Sequence, residues 1–259
     1  MVRDGVRLAC RDWGAPGQPI VLLHGLAGHA GEWDMLARSL SSRYRIVAVD
    51  QRGHGASERY PRDVSRAAYV ADVIAVVEQL ELQRPVLVGQ SLGGHTAMLT
   101  AAAHLGLVRA LVLVEASPGG PNPNAPTDIG KWLDSWPIPF SSREAAAAFL
   151  GGGPVGAGWA AGLEEVEDGW RPRFDRDVMV RSLTENAQRS FRHEWEQVAC
   201  PILIVLAQSS FISAQEADQM LQQRPATMAM GIPGTGHDLH LEQPGVLHTV
   251  LSDFIEGLV

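Results

Sequence analysis

A serine flanked by glycines is the first candidate for chemistry in this sequence. Ser91 stands in the segment GQSLGG at positions 89–94, after a short apolar run and before a helical pattern. Glycines around it allow the chain to turn sharply from a strand into a helix, since they carry no Cβ that would clash. Such a turn raises the hydroxyl above a sheet edge, where the N-terminus of the next helix favours negative charge. The pattern predicts a nucleophilic serine; the alternative is a plain glycine-rich turn.

A serine nucleophile needs a base within hydrogen-bond reach, and the sequence offers nine histidines. His237 stands in the segment GTGH, just after the last apolar run. It is therefore expected on a loop at the same sheet edge as Ser91. His240 and His248 lie in or near helical patterns and are expected to be packing or surface residues. We predict His237 as the general base.

The surrounding sequence predicts the elements that must position these two residues. Short apolar runs alternate with amphipathic helical patterns, which predicts a mostly parallel sheet with helices on both faces, an α/β fold. Ligands of such sheets bind beyond the carboxyl ends of the strands. The apolar runs lie at 20–23, 44–50, 85–88, 108–114, 201–207 and 227–232, and the helical patterns at 32–40, 65–80, 94–105, 214–223 and 245–258.

The alternation breaks between residues 117 and 196. This stretch opens with the connection PGGPNPNAP and is rich in tryptophan, with helical patterns at 143–150 and 175–190. We expect a core formed by 1–116 and 197–259 and an inserted helical cap formed by 117–196. Its aromatic residues are candidates for an apolar pocket, although simple packing of cap against core would use them equally well. The predicted pocket residues are Trp132, Trp136, Phe140 and Phe211.

Composition narrows the classes of partner. The formal net charge is −8, so nucleic acid and anionic membranes are poor partners and a small molecule is expected. The charged N-terminus lacks an apolar signal core, and no apolar run approaches the ~18 residues of a membrane span, so we expect a cytoplasmic protein. Cys10 and Cys200 are far apart and are expected to be free thiols. No cofactor motif or metal-ligand cluster is recognisable, so no cofactor or metal is expected.

Four motifs in order resemble the α/β-hydrolase superfamily over nearly the whole chain. They are HG at 24–25, DQRGHGAS at 50–57, the glycine-flanked Ser91, and GH at 236–237 followed by EQP at 242–244. The resemblance implies a nucleophile at Ser91 and a base at His237. It also implies an oxyanion hole formed by the backbone N–H groups of Leu26 and Leu92, and a structural turn at Asp50 and Arg52.

The third member of the expected triad departs from the common pattern of that superfamily. The usual aspartate follows the strand at 201–207, but Ser210 occupies that position here. Glu115 ends the strand at 108–114, 24 residues after Ser91, and pancreatic lipases and haloalkane dehalogenases resemble this layout. We therefore predict Glu115 as the acid, the alternative being a polar strand terminus facing the cap. Asp218 is the weaker candidate, and Asp238 is expected to point away from the histidine.

These residues predict acyl transfer through a covalent intermediate on Ser91. The resemblance implies hydrolysis of a small, partly apolar carboxylic ester or lactone. Carbon–carbon bond hydrolysis, amide or peptide cleavage and perhydrolysis are alternatives on the same triad. Dehalogenases and epoxide hydrolases of the superfamily need an aspartate where Ser91 stands, which disfavours their chemistry. A non-catalytic, receptor-like ligand-binding member is the alternative of another class, and the missing aspartate is a partial sign of it.

Overall fold

The computed structural model describes residues 1–258, and its strands form one large sheet and two short hairpins. The strands are β1 (Val2–Arg3), β2 (Val6–Arg7), β3 (Ala9–Asp12), β4 (Pro19–Leu23), β5 (Arg45–Asp50), β6 (Val86–Gln90), β7 (Ala110–Val114), β8 (Glu164–Val166), β9 (Gly169–Arg171), β10 (Ile202–Ala207) and β11 (Met228–Ile232). The pairs β1–β2 and β8–β9 are the hairpins. The other seven strands form the sheet, in the order β11-β10-β7-β6-β4-β5-β3.

The sheet is parallel except at one edge, where β3 pairs antiparallel with β5. Strands β6 and β7 are buried along their whole length, and β4 is buried except at Pro19. Continuous burial explains why these strands read as unbroken apolar runs, since helices cover both faces of the sheet. The predicted α/β fold with a mostly parallel sheet is confirmed.

Twelve α-helices accompany the strands in the described part of the chain. They are α1 (Asp34–Leu40), α2 (Arg66–Gln79), α3 (Leu92–Ala103), α4 (Ala125–Asp134), α5 (Arg143–Phe149), α6 (Gly153–Ala161), α7 (Arg176–Ser182), α8 (Thr184–Gln188), α9 (Arg192–Gln197), α10 (Ala214–Gln223), α11 (Leu239–Glu242) and α12 (Pro244–Glu256). Across residues 1–258, none of them combines the length and apolar character needed to cross a bilayer.

Successive residues of β4 show how the sheet separates two apolar layers. Ile20 and Leu22 belong to a buried cluster with residues of α1 and α12. Val21 and Leu23 face the other way and join a cluster with residues of α2 and α3. Full burial of an aliphatic side chain stabilises a fold by roughly 1.5–3 kcal/mol, so the alternation anchors β4 between both layers. The carboxyl ends of β4, β6 and β7 are thereby held at one edge.

Local differences from the predicted elements have identifiable causes. The pattern at 175–190 folds as two helices, α7 and α8, which meet at Leu183. The connection predicted at 118–126 is shorter than expected because α4 begins at Ala125, with Pro126 in its first turn, where proline is tolerated. The run Gly151–Gly153 leads into α6. All three glycines adopt positive φ angles at this junction, of 110°, 67° and 51° in chain order.

The stretch 117–196 carries helices α4 to α9 and the β8–β9 hairpin between strands β7 and β10. Its residues Leu133 of α4, Ala146 of α5 and Val178 of α7 belong to one apolar cluster, which also includes Ala27 from outside the stretch. Its last helix, α9, packs instead against α3, and Trp195 is buried in the layer beneath the sheet. The assignment of 117–196 as a cap stays a prediction.

Candidate active site

The backbone at Ser91 turns abruptly between β6 and α3. Ser91 has φ 50° and ψ −119°, a region that non-glycine residues rarely occupy. Its N–H donates to the Val114 carbonyl at 3.0 Å, which ties the turn to the end of β7. Such strain persists only where surrounding structure holds it, and it places the side chain in the cavity described below.

Close packing explains the glycines beside this turn. A Cβ at Gly93 would overlap the carbonyl oxygens of Leu23 and His24, and one at Gly94 would overlap the Ala116 side chain. The first turn of α3 therefore fits directly against the ends of β4 and β7 only because no side chains intervene. This contact sets the direction in which the N-terminus of α3 points.

Glu115 follows β7 and is fully buried, with φ 48°. Its Oε1 accepts a hydrogen bond from the Ala207 N–H at 2.7 Å, and its Oε2 lies 3.5 Å from His237 Nδ1. Burial alone would raise the pKa of Glu115. Hydrogen bonds from His237, Ala207 and Ser210 outweigh burial and hold the pKa below its ordinary value. Glu115 is thus an ionised partner for the His237 ring.

His237 lies on the loop after β11, opposite the end of β6. The loop is held by a bond from the Ser209 N–H to the Thr235 carbonyl (3.0 Å) and by one from the Gly236 N–H to Glu242 (2.6 Å). The ring meets Phe211 edge to face, with centroids 4.7 Å apart, and the side chain remains 40 % exposed. His237 is therefore both fixed and accessible from the cavity.

Gln90 determines which nitrogen of His237 carries the proton. Its side-chain Nε2 lies 3.1 Å from the His237 carbonyl oxygen and 3.1 Å from the ring Nε2. A carbonyl can only accept, so the group facing it must be the amide NH₂, which then also donates to the ring. The ring Nε2 is accordingly unprotonated, and Nδ1–H points to Glu115. This is the tautomer that a general base for Ser91 requires.

In this structure the Ser91 hydroxyl makes no hydrogen bond to any residue within 1–258, and the His237 Nε2 instead lies 3.1 Å from the Gln90 amide nitrogen. Ser91 and His237 nevertheless line the same cavity. The structure therefore brings together the three residues predicted as a triad, and the predicted base, His237, is hydrogen-bonded to Gln90. Their catalytic roles stay predictions.

Leu26 and Leu92, whose backbone N–H groups are the predicted oxyanion hole, both line this cavity. Leu92 is the first residue of α3, and within residues 1–258 its N–H donates to no protein group, as expected at a helix start. Gly25 packs so closely on Ser91 that an added Cβ would lie 3.3 Å from the serine Cβ. The loop carrying Leu26 therefore lies close to Ser91, as a predicted oxyanion hole requires.

Two buried histidines brace the loop that carries Leu26. His24 Nε2 accepts from the Gln51 N–H at 3.0 Å, and His54 Nε2 accepts from the Ala27 N–H at 3.1 Å. The other ring nitrogens donate to backbone carbonyls. Burial lowers the pKa of each ring from 6.5 to about 3, so both are neutral structural groups.

These histidines predict a loss of stability in acid. A depressed folded-state pKa stabilises the fold above the unfolded value of 6.5, and that stability is lost as the pH falls towards 3. Between about pH 7 and about pH 5, each should cost roughly 2 kcal/mol of the free energy of unfolding. Urea unfolding of the His54→Gln variant at both pH values should show a loss of unfolding free energy that is smaller than the wild-type loss by about that amount. The control is His104→Gln, at an exposed histidine, which should keep the wild-type dependence of the unfolding free energy on pH. If His54→Gln also kept the wild-type dependence, His54 would not be a buried neutral group.

The structural-turn residues Asp50 and Arg52 lie in separate hydrogen-bond networks. Asp50 accepts from the N–H groups of Ala30 (2.7 Å) and Ala56 (3.0 Å). Arg52 makes a two-pronged contact with Asp72, both bonds being 2.6 Å. Neither side chain borders the cavity that contains Ser91.

The other carboxylates considered as acids do not contact the His237 ring. Asp218 is exposed on α10. Asp238 was expected to point away, but it borders the cavity and accepts a bond from Trp159 Nε1 at 3.3 Å. Ser210, at the usual acid position, instead helps to lower the pKa of Glu115.

The cavity above Ser91 measures about 600 Å³ and is bounded by both parts of the chain. Trp132 and Phe211, predicted as pocket residues, border it. Trp136 and Phe140 do not: α4 ends at Asp134, so Trp136 turns inward and packs on Phe140, with centroids 6.2 Å apart. Trp159 borders the cavity but escaped prediction; its position in a tryptophan-rich stretch was the available signal.

Gln90 also escaped prediction, although it adjoins Ser91 in sequence. At the inner end of the cavity, His95 and Asn186 border it as well, with Asn186 Nδ2 3.2 Å from His95 Nε2. Nothing in the local sequence pattern marks these contacts, because the residues involved are separated by 91 positions or more.

Comparisons with known proteins show which family this chain resembles in sequence. A family model described as "Alpha/beta hydrolase family" matches residues 20–249. A protein of Haemophilus influenzae named "Putative esterase/lipase" is 27% identical, over 91% of this chain and 82% of that protein. One of Mesorhizobium japonicum named "2-(acetamidomethylene)succinate hydrolase" is 25% identical, over 97% of this chain and 92% of that protein.

Solved structures show the same architecture. A crystal structure of E-2-(acetamidomethylene)succinate hydrolase superposes with a TM-score of 0.89 at 23% identity, covering 98% of this chain and 96% of that one. A marine microorganism esterase superposes with a TM-score of 0.80 at 26% identity, covering 96% of this chain and 99% of that one. With a family model spanning most of its length, this chain belongs to the alpha/beta hydrolase family.

Proposed function

We propose that the chain is a serine hydrolase that cleaves small carboxylic esters or lactones through an acyl-enzyme on Ser91. One observation carries the proposal: His237 lies between the cavity and the buried carboxylate of Glu115, in the tautomer that leaves Nε2 unprotonated. Relatives named as an esterase/lipase and as a hydrolase support hydrolytic chemistry.

Acylation would begin when substrate binding moves the Gln90 amide off the ring of His237. Nε2 then accepts the Ser91 proton as the oxygen attacks the carbonyl carbon, and Glu115 stabilises the imidazolium. The N–H groups of Leu26 and Leu92 bind the oxyanion, an effect of roughly 3 kcal/mol per donor. The imidazolium protonates the leaving group, and water repeats the sequence to release the acid.

The volume and the lining of the cavity above Ser91 support a small, partly apolar substrate. A volume of about 600 Å³ lies within the usual range for small-molecule sites. Ile129, Trp132, Trp159, Leu183 and Phe211 form much of the wall. Carbon–carbon bond, amide and perhydrolysis chemistry would use the same three side chains, so the choice among them depends on the substrate.

A fluorophosphonate probe tests the proposal directly, since it forms a stable bond only with an activated serine. We expect stoichiometric labelling of the wild-type chain, with the adduct mapped to Ser91 by mass spectrometry, and hydrolysis of short aryl esters. A panel of lactones, amides and carbon–carbon substrates would rank the reaction types. A chain that resists labelling and turns over no member of the panel would support the receptor-like alternative instead.

A further inference from the structure

One wall of the cavity combines indole rings with carboxylates. Asp128 and Trp132, one helical turn apart on α4, both border the cavity. The Trp132 ring stands nearly perpendicular to that of Trp159, at 85° and with centroids 5.9 Å apart. Trp159 in turn donates to Asp238 at 3.3 Å. Two differently oriented aromatic surfaces thus lie alongside two acidic side chains.

In the part of the chain that the structure describes, no lysine or arginine at the cavity surface balances these carboxylates. His95 borders the inner end, but burial holds its pKa well below the ordinary value, so the ring is neutral. Arg66 lies beneath that end without a surface in the cavity, bonded to Thr96 Oγ1 and the Leu92 carbonyl. Glu185, which accepts from the Arg66 N–H at 3.3 Å, offsets part of its charge.

The indole rings and carboxylates of this wall favour some charges of a bound group over others. An ammonium group is attracted to the faces of tryptophan rings and to carboxylates. Asp128 is exposed and Asp238 is half-buried, so their attraction for the ammonium group is weakened by salt. A substrate carboxylate would instead face Asp128 and Asp238 without a cation to pair with. Uncharged apolar groups would contact the indole rings and avoid that repulsion.

We propose that this cavity selects substrates whose bound portion carries an ammonium group or no charge, and rejects carboxylates. The inference rests on the proposed ester hydrolysis and names its substrate class. Asp128 and Asp238 set the charge preference, and Trp132 and Trp159 provide the surface on which the selected group lies. The order of preference is cationic, then neutral, then anionic.

Three p-nitrophenyl esters with equal chain lengths test this order. They are a trimethylammonium-capped butyrate, its tert-butyl isostere and the hemiester of glutarate. We expect kcat/KM for the cationic ester to exceed that for the anionic ester by roughly tenfold or more at low ionic strength, and the ratio to shrink in high salt. Asp128→Asn and Asp238→Asn should each reduce the ratio by roughly three- to fivefold.

The matched control is Asp134→Asn. Asp134 belongs to the same helix as Asp128, but it is bonded to Arg176 outside the cavity. The charge ratio of this variant should equal that of the wild type. A ratio near one in the wild type, or the same fall in all three variants, would overturn the inference while leaving ester hydrolysis intact.

A binding measurement separates this inference from the proposed function. The fluorescence of Trp132 and Trp159 should respond to hexyltrimethylammonium, hexanol and hexanoate, titrated separately into the wild-type chain and into Asp128→Asn. We expect hexyltrimethylammonium to bind most tightly and hexanoate most weakly, with a smaller difference in the variant. Failure of every ester to turn over would contradict the proposed function, whereas hexanoate binding as tightly as the cation would overturn the charge preference.

Discussion

Replacement of Ser91 by alanine should reduce ester turnover by about four to six orders of magnitude, to the level of background hydrolysis. The alanine lacks the oxygen that forms the acyl bond, and no other hydroxyl occupies its place on the strained turn between β6 and α3. Because the change removes only one oxygen, from a half-buried side chain that lines the cavity, the fold should survive. The measurement is kcat/KM on a short aryl ester, together with loss of the fluorophosphonate adduct.

Ser39→Ala is the control for this experiment, because Ser39 is an exposed serine on α1 that bonds only its own helix at Met35. This variant should label and turn over like the wild type. Circular dichroism and urea unfolding of both variants would show that the chains are folded. Residual turnover of Ser91→Ala above a hundredth of the wild-type rate would place the nucleophile elsewhere.

Replacement of Glu115 by glutamine should lower kcat by roughly three to four orders of magnitude with a smaller change in KM. The glutamine can still accept the hydrogen bond from Ala207, so the buried site stays filled. Its amide, however, cannot stabilise an imidazolium, and an NH₂ facing Nδ1 favours the tautomer that protonates Nε2. The experiment compares kcat and KM for both chains on one aryl ester.

Asp218→Asn is the matched control, since Asp218 is the other carboxylate considered for this role and lies exposed on α10. Its kinetics should equal those of the wild type. A second test relocates the acid: the double variant Glu115→Gln with Ser210→Asp should regain at least tenfold over Glu115→Gln, because Ser210 stands at the usual acid position and its side chain lowers the pKa of Glu115. A wild-type kcat in the Glu115→Gln variant would show that Glu115 is not the acid of the triad.

Most of the sheet could be predicted because its strands are buried on both faces. The runs at 20–23, 85–88 and 201–207 contain almost no polar residue, so their strand character is visible without tertiary information. A helix was predicted near 214–223, where α10 is found; in the structure the Ser213 side chain caps its first turn. Strands β1, β2 and β3 escaped prediction because they are short and partly exposed, with little periodicity to detect.

The pocket was less predictable than the triad. Trp132 and Trp136 are four residues apart, which predicts a shared helix face, but the helix ends between them and only Trp132 borders the cavity. Trp159 reaches the cavity because α6 packs beside α11, a contact between segments almost eighty residues apart. Such placements depend on how helices stack, which local periodicity does not encode.

The amino-acid sequence by itself determined the α/β fold and the sheet edge at which Ser91, Glu115 and His237 are found. This was possible because glycine-flanked turns and apolar runs are recognisable in short stretches of sequence, and because the carboxyl ends of parallel strands share one edge of the sheet. Only the tertiary structure decided that Glu115 is the carboxylate facing His237, that Gln90 holds the ring, and that acidic and indole side chains meet in one wall. These depend on distances between residues remote in the chain, which folding alone brings within hydrogen-bond range.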